Sequence, residues 1–347
     1  METKVQRIAQ EMLYPGIFAE AGAIFRADGI VGIPTETVYG LAAWVESEEA
    51  VRKIYEAKGR PSDNPLIVHI WPGCDLKGIV AEIPELAKPL MEAFWPGPMT
   101  LVMKKDPRIT PKVTGGLDTV AVRMPAHPIA KALLTELRLP LVAPSANTSG
   151  RPSPTTAQHV YDDLCGKIPL IIDSGSCGVG VESTVIDVTG AYPVVLRPGA
   201  ITREMIAEVC GRAELDPAVT AGGMKDPKAV PKAPGMKYKH YAPRAEVVLL
   251  NASRDGFLAY VNENAAPGDA VLCAEEDQPS VRADLVVLPM GRADHPEEAS
   301  QRLYAALRTA DDRRAAHIFV RNPGTDGMQL ALYNRLIRAA ECKITEI

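Results

Sequence analysis

The stretch Ser183-Thr184-Val185-Ile186-Asp187-Val188-Thr189-Gly190-Ala191-Tyr192-Pro193-Val194-Val195-Leu196-Arg197 decides the fold class of the longer part of this chain. Two β-branched runs, 183–188 and 194–197, are separated by a short gap holding a Gly and a Pro, and such close spacing predicts an antiparallel hairpin. Upstream, strand-like runs at 29–34, 65–70, 99–104, 119–123, 141–143 and 170–173 mostly alternate with helix-like stretches. The helix candidates are 16–28, 48–58, 84–94, 128–137, 155–164 and 203–209. Ser47 is placed to cap the second of them, with Glu48 and Glu49 in its first turn, and Pro84 and Pro128 suit first helical turns. Alternation by itself suits a parallel sheet. The hairpin makes the expectation a mixed α/β sheet.

At 347 residues the chain is long enough for about two domains. Its 46% hydrophobic and 23% charged content is ordinary for globular protein and excludes bulk disorder. The net charge of −5 hides a pattern. Residues 1–210 carry 20 basic and 24 acidic side chains, residues 211–244 carry 7 and 3, and residues 245–347 carry 11 and 16. The basic middle segment also holds Pro217, Pro227, Pro231, Pro234, Pro243 and Gly222-Gly223, the composition of a semi-rigid linker. The division expected is a first domain at 1–210, a linker at 211–244 and a second domain at 245–347.

The last segment reads strand (245–250), helix, strand (270–273), strand (285–289), helix (297–310), strand (317–320), helix (329–340). That order suits a smaller three-layer α/β domain resembling half a Rossmann unit, although no G-x-G-x-x-G follows a strand. Cysteines at 74, 165, 177, 210, 273 and 342 form no CxxC pair, which argues against a disulfide framework or a structural zinc site and suits a reducing compartment. Residues 1–14 show no signal-peptide core, and no apolar run has membrane-spanning length. A cytoplasmic location is expected.

Four polar segments follow predicted strands or enter them, where α/β proteins place their sites. Pro34-Thr35-Glu36-Thr37-Val38-Tyr39-Gly40 can orient a small polar ligand, or be a Thr-capped helix start. Lys58-Gly59-Arg60-Pro61-Ser62-Asp63-Asn64-Pro65 sets two cations close together between rigid residues. Phosphates need such groups; a helix C-terminus with basic residues would account for Lys58 alone. His69, alternating with apolar neighbours, is by itself more often structural. Ala143-Pro144-Ser145-Ala146-Asn147-Thr148-Ser149-Gly150-Arg151-Pro152-Ser153 offers five hydroxyl or amide groups and one Arg, either an anion cradle or a long loop before a helix. Gly175-Ser176-Cys177-Gly178-Val179-Gly180-Val181-Glu182-Ser183-Thr184 is glycine-rich but precedes a strand, so it reads as a loop delivering Ser183 and Thr184 rather than a dinucleotide turn. The P-loop, H-E-x-x-H, G-x-S-x-G and kinase signatures are absent.

In their order, these segments resemble the YrdC-type threonylcarbamoyl-AMP synthase family. Trp95-Pro96-Gly97-Pro98-Met99-Thr100, Val122-Arg123-Met124-Pro125 and Arg197-Pro198-Gly199 continue the pattern. Pro234-Gly235-Met236-Lys237-Tyr238-Lys239-His240-Tyr241-Ala242-Pro243 resembles the linker of its two-domain members. The resemblance implies a twisted mixed sheet with helices around a concave cavity, followed by the Rossmann-like domain. It also implies a reaction: L-threonine, bicarbonate and ATP give threonylcarbamoyl-adenylate, pyrophosphate and water, with Mg²⁺ accompanying ATP and no metal held by protein ligands. Other enzymes would use the product to modify adenosine beside the tRNA anticodon. No covalent nucleophile is required, because positioning and charge neutralisation carry such a transfer.

By the same resemblance, Lys58, Arg60 and Ser62 should meet the ATP phosphates, with Lys58 and Arg60 catalytic. Thr119, Ser145, Asn147, Ser153 and Arg197 should complete the nucleotide pocket. Thr35, His69, Arg123 and Ser183 should receive threonine, with Arg123 opposite its carboxylate. Tyr241 and His240 would close over the pocket, or else dock the two domains. Two other readings compete. Carbamoyl transfer through a carbamoyl-adenylate, as in hydrogenase-maturation proteins, would bring acylphosphatase-like and zinc-finger segments that this sequence lacks. Binding of double-stranded RNA would need clustered basic charge, which only the linker supplies, so no stable nucleic-acid or membrane partner is expected.

Overall fold

The computed structural model describes residues 1–8, 15–221, 231–233 and 240–347. Residues 9–14, Gly222-Gly223, Pro227 and the 234–239 part of the linker motif lie outside the described residues.

The larger sheet takes eleven strands: β1 (Lys4–Arg7), β2 (Val31–Ile33), β3 (Gly40–Trp44), β4 (Ile67–His69), β5 (Met99–Lys104) and β6 (Thr119–Arg123) come first. Then follow β7 (Leu141–Val142), β8 (Leu170–Asp173), β9 (Thr184–Asp187), β10 (Val194–Arg197) and β11 (Glu214–Leu215). Their order is β1-β8-β2-β3-β7-β4-β6-β5-β9-β10-β11. Parallel and antiparallel pairs both occur, so the sheet is mixed as expected. The hairpin at its far side forms as β9 and β10, antiparallel, with a register shift between Val195 and Arg197 that lets the strand bend just before Arg197.

Local chemistry explains most element ends. Ser47 caps the helix Glu48–Lys58 by accepting from the Ala50 N–H, and Gly59 ends it at φ 62°, a conformation that favours glycine. Lys58 and Arg60 are thereby fixed on either side of one left-handed residue. Pro128 opens its helix, Pro128–Leu137, as expected. Pro84 does not: the helix there is Ala87–Phe94, and Pro84 belongs to the preceding turn, its carbonyl accepting from the Ala87 N–H at 2.9 Å. The 155–164 expectation also shortens, to Ala157–Leu164, because Thr156 is the cap. Residues 34–39 are not a helix start. They connect β2 to antiparallel β3, and Thr35 Oγ1 donates to the Val38 carbonyl at 2.6 Å.

The second sheet contains β12 (Glu246–Asn251), β13 (Ala270–Cys273), β14 (Val286–Pro289), β15 (His317–Arg321) and β16 (Ile344–Glu346), in the order β14-β13-β15-β12-β16. Every pair in it is parallel. Alternate residues of its strands join different cores. Val271 and Cys273 pack with Phe257 and Val261 of the helix Arg254–Asn264. Ala270 and Leu272 instead share a cluster with residues of Pro296–Asp312 and Gln329–Ala339. The result is a three-layer α/β unit. The same cluster contains Val38, Val181 and Tyr241 from the other part of the chain, so this face packs directly against the larger sheet's loops. Among the described residues no helix is long and apolar enough to cross a membrane.

Candidate functional site

The ends of three neighbouring strands set the site's floor. In register, His69 of β4 pairs with Arg123 of β6, and Arg123 pairs with Thr100 of β5. Facing them is the 34–39 connection, and beside β5 lies Ser183 at the start of β9. A cavity opens here, lined by Thr35, Arg60, His69, Arg123, Ser145, Ser183, Arg197 and Tyr241 among others. Nine expected residues, His240 included, thus converge from segments far apart in sequence.

Arg123 is anchored on three sides. Its Nη1 donates to Thr37 Oγ1 at 2.8 Å, Nη2 to Glu36 Oε1 at 2.6 Å, and Nε to the Gly97 carbonyl at 3.4 Å. Burial works to raise the Glu36 pKa, but the charge and hydrogen bond of Arg123 outweigh it and hold the carboxyl below its usual range. Glu36 is therefore an anion that aims Arg123. His69 is buried, and burial first, then the Arg123 charge, push its pKa down to about 3. Its Nδ1 lies 3.1 Å from the Ile67 carbonyl. A neutral ring donating there keeps Nε2 as an acceptor.

On the opposite wall, Ser183 Oγ lies 2.7 Å from Thr100 Oγ1. Arg197 donates through Nε to the Ser183 carbonyl at 3.1 Å and through Nη2 to its hydroxyl at 3.3 Å. Arg60 donates to the carbonyls of Asn64 at 3.2 Å and Pro65 at 2.9 Å. Burial lowers its pKa to about 10, which still leaves it charged at neutral pH. Arg60 and Arg197 thus face the cavity on neutral oxygens, and the site is suited to an anion.

The other expected residues are placed differently. Lys58 is buried outside the lining, and its Nζ donates to the carbonyls of Ser145 and Asn147, each at 2.5 Å. Burial, and then Arg60, lower its pKa well below the usual value. In this structure Lys58 ties down the 145–147 loop. Asn147 Nδ2 braces the same loop by donating to the carbonyls of Thr148 and Arg151 at 2.8 and 2.9 Å. Ser153 donates to Glu182 Oε1 at 2.5 Å. Ser62 is exposed, and half-buried Thr119 stands at the end of β6 opposite Arg123; neither lines the cavity. Tyr241, at φ 65°, lines it together with His240 and also packs on Tyr304 of the second unit at 5.5 Å between ring centroids. One side chain thus touches both the cavity and the second unit.

Sequence reasoning singled out neither the support that Glu36, Thr37 and Thr100 give to Arg123 and Ser183 nor the place of Glu182. Glu182 stood inside a recognised motif, but its partners Arg335 and Tyr304 come from the second unit, more than a hundred residues away. No local signal in the sequence joins them.

The chain is similar to known proteins along most of its length. A family model described as "Telomere recombination" matches residues 23–199, and a model of the threonylcarbamoyl-AMP synthase C-terminal domain matches residues 201–341. The threonylcarbamoyl-AMP synthase of Bacillus subtilis is 46% identical over 93% of this chain and 92% of its own length. That of Pyrococcus abyssi is 44% identical over 94% and 95%. A crystal structure of P. abyssi Sua5 complexed with L-threonine superposes with a TM-score of 0.91 at 42% identity, covering 100% of both chains. The chain belongs to the threonylcarbamoyl-AMP synthase family.

Proposed function

We propose that this protein makes L-threonylcarbamoyl-adenylate from L-threonine, bicarbonate and ATP, releasing pyrophosphate, and so supplies the tRNA modification beside the anticodon. The observation that carries the reading is the convergence of Arg60, Arg123 and Arg197 on one cavity in a chain of this family. The threonine amine and bicarbonate give a carbamate and water. A carbamate oxygen then attacks the α-phosphate of ATP as the bond to pyrophosphate breaks. Arg123, held by Glu36, receives the threonine carboxylate. Thr35 and Ser183 offer hydroxyls to threonine, and neutral His69 offers an acceptor for its amine hydrogens. Arg60 and Arg197 take up charge on the phosphates as it shifts toward the leaving group, a role that needs no covalent nucleophile. Lys58 and Asn147 hold the loop that presents Ser145, and Ser153 acts through Glu182. Ser62 and Thr119 meet the part of ATP projecting beyond the cavity, and Tyr241 meets the nucleotide from within the lining.

Magnesium bound to the triphosphate supplies charge neutralisation there. It suits phosphate oxygens, which would hold it without ligands from the chain. Bicarbonate is the third substrate, the tRNA threonylcarbamoyl-transferring machinery consumes the product in the cytoplasm, and the chain itself holds no nucleic acid stably. Pyrophosphate release tests the reading. It should require ATP, threonine and bicarbonate together; release that is indifferent to threonine would refute it.

A further inference from the structure

We infer that Arg335, on the helix Gln329–Ala339 of the second unit, is a positioning residue for the threonine and nucleotide walls of the site. The inference rests on the proposed function. Arg335 is fully buried, and its guanidinium is used completely. Nε donates to Glu182 Oε2 at 3.2 Å, Nη2 to the Glu182 carbonyl at 3.2 Å, and Nη1 to the Pro198 carbonyl. Glu182 immediately precedes Ser183, and Pro198 immediately follows Arg197. One side chain from the second unit therefore brackets the pair that forms the cavity's far wall, and that pair is joined by the Arg197-to-Ser183 bonds. Tyr304 adds a hydrogen bond to Glu182 Oε2 at 2.8 Å, and Ser153 holds the other oxygen. Gly199 keeps the two strands close, because a Cβ there would meet the Thr184 nitrogen at 2.5 Å and the Glu182 carbonyl at 2.8 Å.

The geometry distinguishes positioning from simple adhesion between units. Adhesion needs one ion pair, whereas Arg335 spends two of its three nitrogens on backbone carbonyls that flank site residues. Lysine at this position keeps a positive charge beside Glu182 but replaces the planar fork, which meets both carbonyls and Oε2 at once in fixed directions, with a single rotatable ammonium that sets their separation less firmly. Without the bracket, the Ser183 hydroxyl and the Arg197 guanidinium lose their fixed separation, which weakens ground-state binding of threonine.

The test is steady-state pyrophosphate release by the full-length wild type, Arg335→Lys and Arg335→Met. Arg335→Lys should fold with a thermal midpoint near wild type and show a threonine KM raised about tenfold, roughly the loss of one substrate hydrogen bond. Its kcat should change less than its KM. Arg335→Met leaves Glu182 buried without its cation and should be less stable; if it fails to fold, the lysine variant decides alone. A threonine KM within about twofold of wild type in Arg335→Lys would overturn the inference, as would a lowered kcat at unchanged KM, the mark of a smaller active fraction. A wild type without threonine-dependent pyrophosphate release would instead refute the function reading, and this inference with it.

Discussion

Acidification should reveal His69 as a neutral buried histidine. Its pKa in the fold lies at about 3 against 6.5 in an unfolded chain, with burial the main cause and Arg123 the second. Below pH 6.5 the unfolded chain binds a proton that the native chain refuses, so stability is complete above that value and declines as pH falls toward 3. Each pH unit in that window costs about 1.4 kcal/mol, which makes the loss from this residue about 2 kcal/mol between about pH 7.5 and pH 5. Other groups titrate as well, so the quantity to compare is the pH-dependent loss in wild type against that in His69→Gln. All three tryptophans, Trp44, Trp71 and Trp95, lie in the larger sheet's part of the chain, and urea unfolding followed by their fluorescence reports on that part alone. The variant should lose about 2 kcal/mol less than wild type over the same interval. Equal losses would mean that His69 is solvated or already charged in the fold, and its proposed acceptor role toward the threonine amine would fall with it.

Two further substitutions probe the two sides of the site. Arg60→Ala should cut kcat/KM for ATP in pyrophosphate release by about a hundredfold or more, the usual cost of removing a charge-stabilising donor; near-normal turnover would remove Arg60 from the phosphates. Arg308 of the second unit donates to Asp163 at 2.9 and 3.2 Å and to the Pro152 carbonyl at 2.6 Å, with Asp163 wholly buried. Arg151 also pairs with Asp163 at 3.2 Å, so Arg308→Met removes hydrogen bonds to a charged group without leaving that group unpaired and should cost about 2 kcal/mol in urea denaturation; an unchanged midpoint would show the Arg308–Asp163 pair to be solvated.

How far the sequence foretold this molecule depended on whether the information was local. The β9–β10 hairpin was legible because β-branched runs and a Gly/Pro gap sit side by side. The helix Glu48–Lys58 was legible because its Ser cap and Gly terminator flank it directly. Strand β3, Gly-Leu-Ala-Ala-Trp from 40 to 44, escaped because its alanines carry no strand preference; it exists because β2 and β7 hydrogen-bond to it. Strands β1 and β16 escaped as short, mostly polar or exposed edges. In the site, the motifs named the arginines and hydroxyls that meet at the cavity. They could not say which oxygen each cation would choose. Lys58 turns to two carbonyls of the 145–147 loop, a choice made by the tertiary packing of the first unit, and Glu182 finds Arg335 from a helix at the other end of the chain, a choice made only when the units pack. The basic linker stood out by charge, yet the cationic groups around the cavity come from segments whose overall balance is acidic.

Analysis of the product is the decisive measurement for this chemistry. The full-length protein is incubated with ATP, Mg²⁺, ¹³C-labelled bicarbonate and L-threonine, and the mixture is analysed by mass spectrometry. The expected product is threonylcarbamoyl-adenylate carrying the heavy carbon, absent when threonine is omitted, with pyrophosphate formed in equal amount. ATP cleavage without that labelled adenylate, or cleavage that proceeds equally well without threonine, would contradict the proposed function.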